Sequence, residues 1–470
     1  MKKIAMALAL LLSAASCDFL DVVPEGSPTQ DDIYKTQAQA EKMLFMVYGK
    51  CPDLFHAQAM PDLSGGDDLI SSYYGSVRYF SWKSLVYATS QESPTNTYFN
   101  MWGTTSGLPT GNYSYNIYEG IRYAYNFLNN IGSVPDISEA NLRYWSGEAH
   151  FLIAHLHQIL LEYYGPIVLA REEIDLNAPA SSVNVPRSTY DECVDYICSE
   201  LEAAAENLET EQPLDLFGTP TKGAALALVA RLRLQAASPL FNGNSAYKNW
   251  TNHDGTVLMP QTYDKELWKD AADAAKTVID MTEYQLLKPA ADATFDEIVD
   301  NLRAVTTTWG AGKNTEIIWG HPNSVQWYGM CALPARWYGW NGRYSLAIGM
   351  INDFFMADGS PSRPLEEWFA SKKFSAEAGN GTIANTFWMF CDREPRFYAS
   401  THFPNQRVSY ATKENPDVWQ TIEFWYEGNS GLSKSSGDRN STGLSPRKNI
   451  PMDATTDKSQ ATCTSNAIPF

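Results

Sequence analysis

From about Thr36 to Met281 apolar residues recur at helical spacing. The plainest stretch is Gly147 to Gly165, where Leu152, Leu156, Ile159, Leu160 and Tyr163 fall on one face at i, i+4, i+7, i+8 and i+11. Gly165-Pro166 stops it, because proline has no N–H to continue the ladder. Thr189 and Glu192 have the spacing of a capping box and open a second helix with the stripe Val194, Ile197, Cys198, Leu201, Ala204 and Leu208. A third helix is predicted from about Lys222 to Ala237 and a fourth from about Glu266 to Met281. Ala224, Ala227 and Ala230 on one, with Ala271, Ala274 and Ala275 on the other, leave little side-chain bulk, so neighbouring helices can approach closely. Starts near 148, 189, 222 and 266 are 41, 33 and 44 residues apart. That suits stacked helical hairpins in a loose tetratricopeptide-like array rather than a strict repeat. Between Pro61 and Gly111, and from about 290 to the end, the period breaks down into Gly-, Asn-, Ser- and Trp-rich sequence. The fold class expected is therefore mostly α: a tetratricopeptide-like helical hairpin array with irregular, aromatic-rich loop regions.

Composition narrows the function. With 44% apolar and 19% charged residues in 470, the chain is neither disordered nor a polytopic membrane protein. Its 54 acidic against 35 basic residues give a net charge of -19, a field that repels phosphate backbones, so no nucleic-acid partner is expected. The start has its own pattern: Met1-Lys2-Lys3, an apolar run from Ile4 to Leu12, then Ser13 to Ser16 and Cys17. This reads as an export signal over residues 1–16, the run being too short for the roughly 20 residues of a bilayer span. Cys17 directly after small residues resembles a bacterial lipobox, which implies that its thiol is acylated. Six further cysteines form no C-x-x-C pair, so no structural zinc site is supported. Cys193 and Cys198, five apart, are expected on different helix faces, and no disulfide is predicted.

The chain carries no H-E-x-x-H, G-x-S-x-G, P-loop or dinucleotide fingerprint. His150 and His157 share a helix face, but two turns separate them by about 10.5 Å, too far for one metal ion without a bridging ligand. Helix packing is the expected role of His150, His155 and His157, and neither metal nor cofactor is expected. Asp67-Asp68 after Gly65-Gly66 reads as a solvated turn. What stands out is tryptophan. The 42 residues from Ala304 to Ser345 hold Trp309, Trp319, Trp327, Trp337 and Trp340, five of the 14 in the chain, with Tyr328, Tyr338 and Tyr344 among them. Interleaved glycines and prolines argue for loops. Rings on loops offer flat apolar platforms with a polar handle, the surface on which the C–H faces of sugar rings stack. Trp309 and Trp319 are assigned to packing. Trp327, Tyr328, Trp337 and Trp340 are the ligand-binding candidates, joined by Tyr79 and Trp82 from a second aromatic group that also contains Tyr73, Tyr74 and Phe80.

Several stretches, taken in order, resemble the SusD/RagB family of outer-membrane nutrient-binding lipoproteins. They are Cys17-Asp-Phe-Leu-Asp-Val-Val-Pro-Glu-Gly26, Asp31-Asp-Ile-Tyr34 leading into Ala38 to Tyr48, Tyr125-Asn-Phe-Leu-Asn-Asn-Ile131, and Gly147-Glu-Ala-His-Phe-Leu-Ile-Ala154 with Tyr164-Gly-Pro-Ile-Val-Leu169. Val185-Pro-Arg-Ser188, Thr221-Lys-Gly-Ala-Ala225, Asn314-Thr-Glu-Ile-Ile318, Asp358-Gly359 and Asp392-Arg-Glu-Pro-Arg396 continue the match. The resemblance implies a single SusD-like domain over 17–470, with a helical repeat part at about 30–285 and a loop-rich part at about 290–470. Family members run on into a further helix where this chain ends at Phe470, so a shortened C-terminus is expected. The implied role is that of a lipoprotein carrying palmitate or similar chains, held by that lipid anchor in the outer membrane at the cell surface. There it would capture oligosaccharides and deliver them to a SusC-like TonB-dependent transporter, with no enzymatic step. A peptide-binding, RagB-like role is the alternative, and a helical glycoside hydrolase or a partner-gripping scaffold are rivals of other classes.

Overall fold

The computed structural model describes residues 33–54, 66–71, 100–102, 115–173, 175, 177–307, 314–320, 332, 344–409, 419–434, 439–448 and 450. Its first half is a run of helices: α1 (Gln37–Tyr48), α2 (Ile117–Asn130), α3 (Glu139–Tyr164), α4 (Tyr190–Asn207), α5 (Lys222–Ala237) and α6 (Glu266–Ile279). Each packs on the next one in the chain, α1 on α2 and so on to α5 on α6, and α1 also reaches α3. That nearest-neighbour order is the helical hairpin array expected from the spacing of the helix starts.

The ends of these helices are chemically specified. Ser138 caps α3 by accepting from the Asn141 N–H at 3.1 Å. At its other end Gly165 takes φ of +69°, a conformation open to glycine, and Pro166 follows. The predicted capping box on α4 is present: Thr189 accepts from the Glu192 N–H at 3.3 Å, and Glu192 Oε2 accepts from the Thr189 N–H at 2.7 Å. Thr221 caps α5 through the Ala224 N–H at 3.2 Å. Thr294 and Glu297 repeat the box at the start of α7 (Phe295–Thr307).

Two expectations need adjustment. The helix read from Gly147 begins at Glu139, two turns earlier, because Ser138-Glu139 supplies the cap and an acidic first turn. It is also buried far beyond one stripe: every residue from Phe151 to Leu161 is buried, because α1, α2 and α4 all pack against it. The same enclosure brings Cys193 and Cys198, both free thiols, into one core, since α4 is covered by α3 on one side and α5 on the other. Of the alanines, Ala224 and Ala271 are buried, while Ala227, Ala230, Ala274 and Ala275 are half-buried.

A second hydrophobic cluster gathers the later residues around Trp368, Phe390, Phe397, Tyr398 and Phe403. Here α7 packs on α9 (Pro395–Ser400), with α8 (Leu365–Ser371) contributing Trp368. Three two-stranded antiparallel ladders complete it: β1 (Leu69–Ser71) with β2 (Tyr344–Leu346), β3 (Thr401–His402) with β6 (Ser445–Pro446), and β4 (Arg407–Ser409) with β5 (Trp419–Thr421). Arg393 is fully buried within it, its two terminal nitrogens donating to the carbonyls of Ile351 and Phe354 and to Ser362 Oγ while Nε has no hydrogen-bond partner.

Candidate functional site

The positions singled out for ligand binding, Tyr79, Trp82, Trp327, Tyr328, Trp337 and Trp340, lie outside the described residues, as do Trp309 and the lipidation candidate Cys17. What the structure gives is the frame from which the two aromatic stretches depart. In the β1–β2 ladder Leu69 faces Leu346, Ile70 faces Ser345 and Ser71 faces Tyr344. The early stretch therefore leaves from Ser71 and the late stretch arrives at Tyr344, two residues paired directly although 273 positions apart in the chain. Leu69, Tyr344 and Leu346 are buried in the second cluster. Thr442 Oγ1 donates to the Leu346 carbonyl at 2.7 Å, and the Ser441 N–H donates to Ser345 Oγ at 3.0 Å. Tyr344, counted among the aromatics of the late stretch, is thus a core residue.

Trp319 is a packing residue, as predicted. Its indole N–H donates to the Gly218 carbonyl at 2.9 Å, and it meets Phe151 and His155 edge to face at 4.8 and 5.1 Å. The three histidines pack within the helical array, His155 against the Phe151 and Trp319 rings with its buried Nδ1 lacking a hydrogen-bond partner. His150 Nδ1 donates to Glu200 at 2.7 Å. His157 Nδ1 donates to the Ile153 carbonyl at 2.7 Å and its Nε2 accepts from the Ala170 N–H at 3.2 Å, so both ring nitrogens of the neutral form are used. Burial holds His155 and His157 neutral, with pKa values pushed down to about 4. No group of three or more His, Cys, Asp or Glu able to hold a metal ion occurs among the described residues. Asp67 and Asp68 are exposed.

Exposed rings not singled out in the sequence include Trp102, Trp419, Trp425 and Tyr426. Trp102 stacks on Tyr118 at 5.8 Å and tilts against Tyr164 at 4.5 Å, while Tyr164 OH accepts from the Met101 N–H at 2.9 Å. Trp419 on β5 carries the Arg407 guanidinium at 5.2 Å over its ring. Beyond β5, Ile422 and Phe424 alternate inward and Trp425-Tyr426 crowns a tight loop: a Cβ on Gly431 would lie 1.9 Å from the Trp425 carbonyl oxygen. The alternation in Trp419 to Tyr426 was the available signal. Trp388 differs, since Arg363 and Lys373 both stand 4.8 Å from its ring centroid.

A sequentially packed helical array joined to an irregular, aromatic-bearing second core defines a helical-repeat protein. The family models are consistent with this. One described as "Starch-binding associating with outer membrane" matches residues 18–234 and one described as "SusD family" matches 305–470. The chain belongs to the SusD/RagB family. Among solved structures it is similar to BT4246, with a TM-score of 0.69 and 25% identity, covering 89% of this chain and 73% of that one. It is also similar to a SusD-like protein, BF3747, from Bacteroides fragilis NCTC 9343, with a TM-score of 0.64, 21% identity and coverage of 90% and 69%. A structure titled "Laminarin binding SusD-like protein" has a TM-score of 0.50 at 16% identity, covering 93% of this chain and 77% of that one. No curated protein sequence matches the chain.

Proposed function

We propose that the protein captures oligosaccharides at the cell surface and hands them, chemically unchanged, to a SusC-like TonB-dependent transporter in the outer membrane. The observation that carries this reading is the β1–β2 ladder, which tethers to one point two aromatic stretches remote in sequence. Trp340 is four residues from Tyr344, and Tyr79 is eight from Ser71. Rings from both stretches then form a composite platform for sugar faces, with Tyr79 and Trp82 contributed by the first and Trp327, Tyr328, Trp337 and Trp340 by the second. The laminarin-binding description of one structural neighbour supports glycan as the ligand class. Acylated Cys17 anchors the chain, and the helical array supplies the surface that docks on the transporter. Several stacking contacts of about 0.5–1.5 kcal/mol each give an affinity modest enough for release.

Isothermal titration of residues 18–470 against neutral oligosaccharides and a peptide mixture tests the reading, with circular dichroism confirming the fold. Saccharide binding that falls at least about tenfold in Trp337→Ala or Trp340→Ala is the expected outcome; a tenfold loss is about 1.4 kcal/mol. Binding of peptides alone would move the protein to the peptide-capturing branch of the family. Binding of neither would remove the nutrient-capture reading, and hydrolysis of the added glycan would replace it with an enzyme.

A further inference from the structure

A cavity of about 250 Å³ opens between the 210–221 segment, Glu283-Tyr284 and the 314–320 segment, walled by residues that take no part in the glycan platform proposed above. Its walls are fixed. Tyr284 rests on Gly223, where a Cβ would stand 2.1 Å from the phenol oxygen, and that oxygen is 3.2 Å from Thr221 Oγ1. The chain after Tyr284 is tied across the cavity: the Gln285 N–H donates to the Thr315 carbonyl at 3.1 Å and Thr315 Oγ1 donates to the Gln285 carbonyl at 2.6 Å. The Phe217 ring fills the space that a Cβ on Gly320 would need, 2.1 Å away, and Trp319 is held by its bond to Gly218. Glu211 and Glu283 both line the space. Glu211 is exposed and Glu283 half-buried at its rim, and Glu283 accepts from Thr282 Oγ1 at 3.4 Å; burial raises the pKa of the Tyr284 phenol against its hydrogen bond to Thr221, and the fields of Glu283 and Glu211 add to the rise. No Lys, Arg or His lines it, and neither carboxylate makes an ion pair among the described residues.

We propose that this cavity binds a primary ammonium group carried on a single sugar or amino-acid residue. Size limits the occupant, because drug-sized sites span about 300–1,000 Å³ and this one is smaller. Charge selects it: two carboxylates that make no ion pair among the described residues, beside the apolar wall of Phe217, Ile318 and Trp319, are complemented by a cation. The hydroxyls of Thr219, Thr221 and Tyr284 answer the polar groups beside the ammonium. An amino sugar and a lysine side chain share this chemistry, and the overall charge of -19 concentrates either near the surface.

The test is isothermal titration of the whole chain with glucosamine, its neutral counterpart N-acetylglucosamine, and Nα-acetyl-lysine amide. Glucosamine or the lysine amide should bind at least about tenfold more tightly than N-acetylglucosamine, and raising the salt from about 0.05 to 0.5 M should weaken the interaction several-fold, since the carboxylates are open to screening. The Glu211→Gln/Glu283→Gln variant should lose the preference while keeping its circular dichroism; should that variant fold poorly, Glu283→Gln alone and the salt series carry the test. Glucosamine binding alone identifies an amino-sugar residue as the source, and lysine-amide binding alone a basic peptide. Equal affinity for the neutral and cationic sugars, no binding by either cation, or a preference unchanged in the glutamine variants overturns the proposal. Trp337→Ala keeps the ammonium binding whatever it does to neutral glycans, so failure of one site is distinguishable from failure of the other.

Discussion

Glu148 sits in the middle of α3 with 2% of its surface exposed, accepting a hydrogen bond from Tyr48 OH at 2.7 Å. Burial pushes its pKa up to about 7 against the lowering effect of the Tyr48 and Tyr144 hydroxyls, with Glu41 adding to the rise. A carboxyl whose folded pKa is raised stabilises the protein below its unfolded value and loses that contribution as pH climbs from about 4.5 through about 7, on the order of 3 kcal/mol in all. His155 and His157, held near 4, and His402, lowered further by burial and by Arg447, act in the opposite sense. Their contribution is lost as pH falls from about 6.5. Between about 4.5 and 6.5 the histidines outnumber the one glutamate, so denaturant melts across pH 5 to 8.5 should find a maximum near pH 6.5. In Glu148→Gln the decline on the alkaline side should vanish and the acid side should steepen. A profile identical to that of the parent would mean that Glu148 carries no proton at neutral pH.

At the scale of elements, the helices differ in what holds them. The array leaves α3 enclosed on three sides, so Leu156→Ala, at a position with no exposed surface, should cost about 2–5 kcal/mol in chemical denaturation. At the exposed start of α4 only the capping box is at stake, and Thr189→Ala should cost about 0.5–2 kcal/mol. If the two changes proved equal, the enclosure of α3 would not be the source of its stability. The capping box was legible because its two residues are local and chemically specific. The full burial of α3 was not, because a 3.6-residue period reports one apolar face and says nothing of how many neighbours surround the helix. His155 and Gln158 are polar letters in the sequence and core residues in the fold.

For the whole molecule, the decisive connection is short. Three residues of β1 join three of β2, and through them an early segment enters the second core instead of the helical one. Ile70→Pro removes a ladder N–H at the centre of this join. It should lower saccharide affinity at least tenfold while the helical circular dichroism survives, because α1 to α6 bury their own core. Binding that persists in this variant would mean that the two aromatic stretches act separately.

The sequence by itself determined that the chain from about Thr36 to Ile279 is helical, that Gly165-Pro166 ends α3 and Thr189–Glu192 caps α4, and the family, because each rests on spacing within a few turns or on motifs read in order; it missed the Ser138 and Thr221 caps and with the first of these the true start of α3. It also determined that Trp319 packs, since that ring lies beside the apolar pair Ile317-Ile318. Only the tertiary structure decided that Ser71 pairs with Tyr344, that Tyr344 is core, that Trp102, Trp419, Trp425 and Tyr426 are exposed, and that Glu211 and Glu283 face one cavity. These depend on contacts between residues tens to hundreds of positions apart, and loop geometry that brings such residues together leaves no period in the chain.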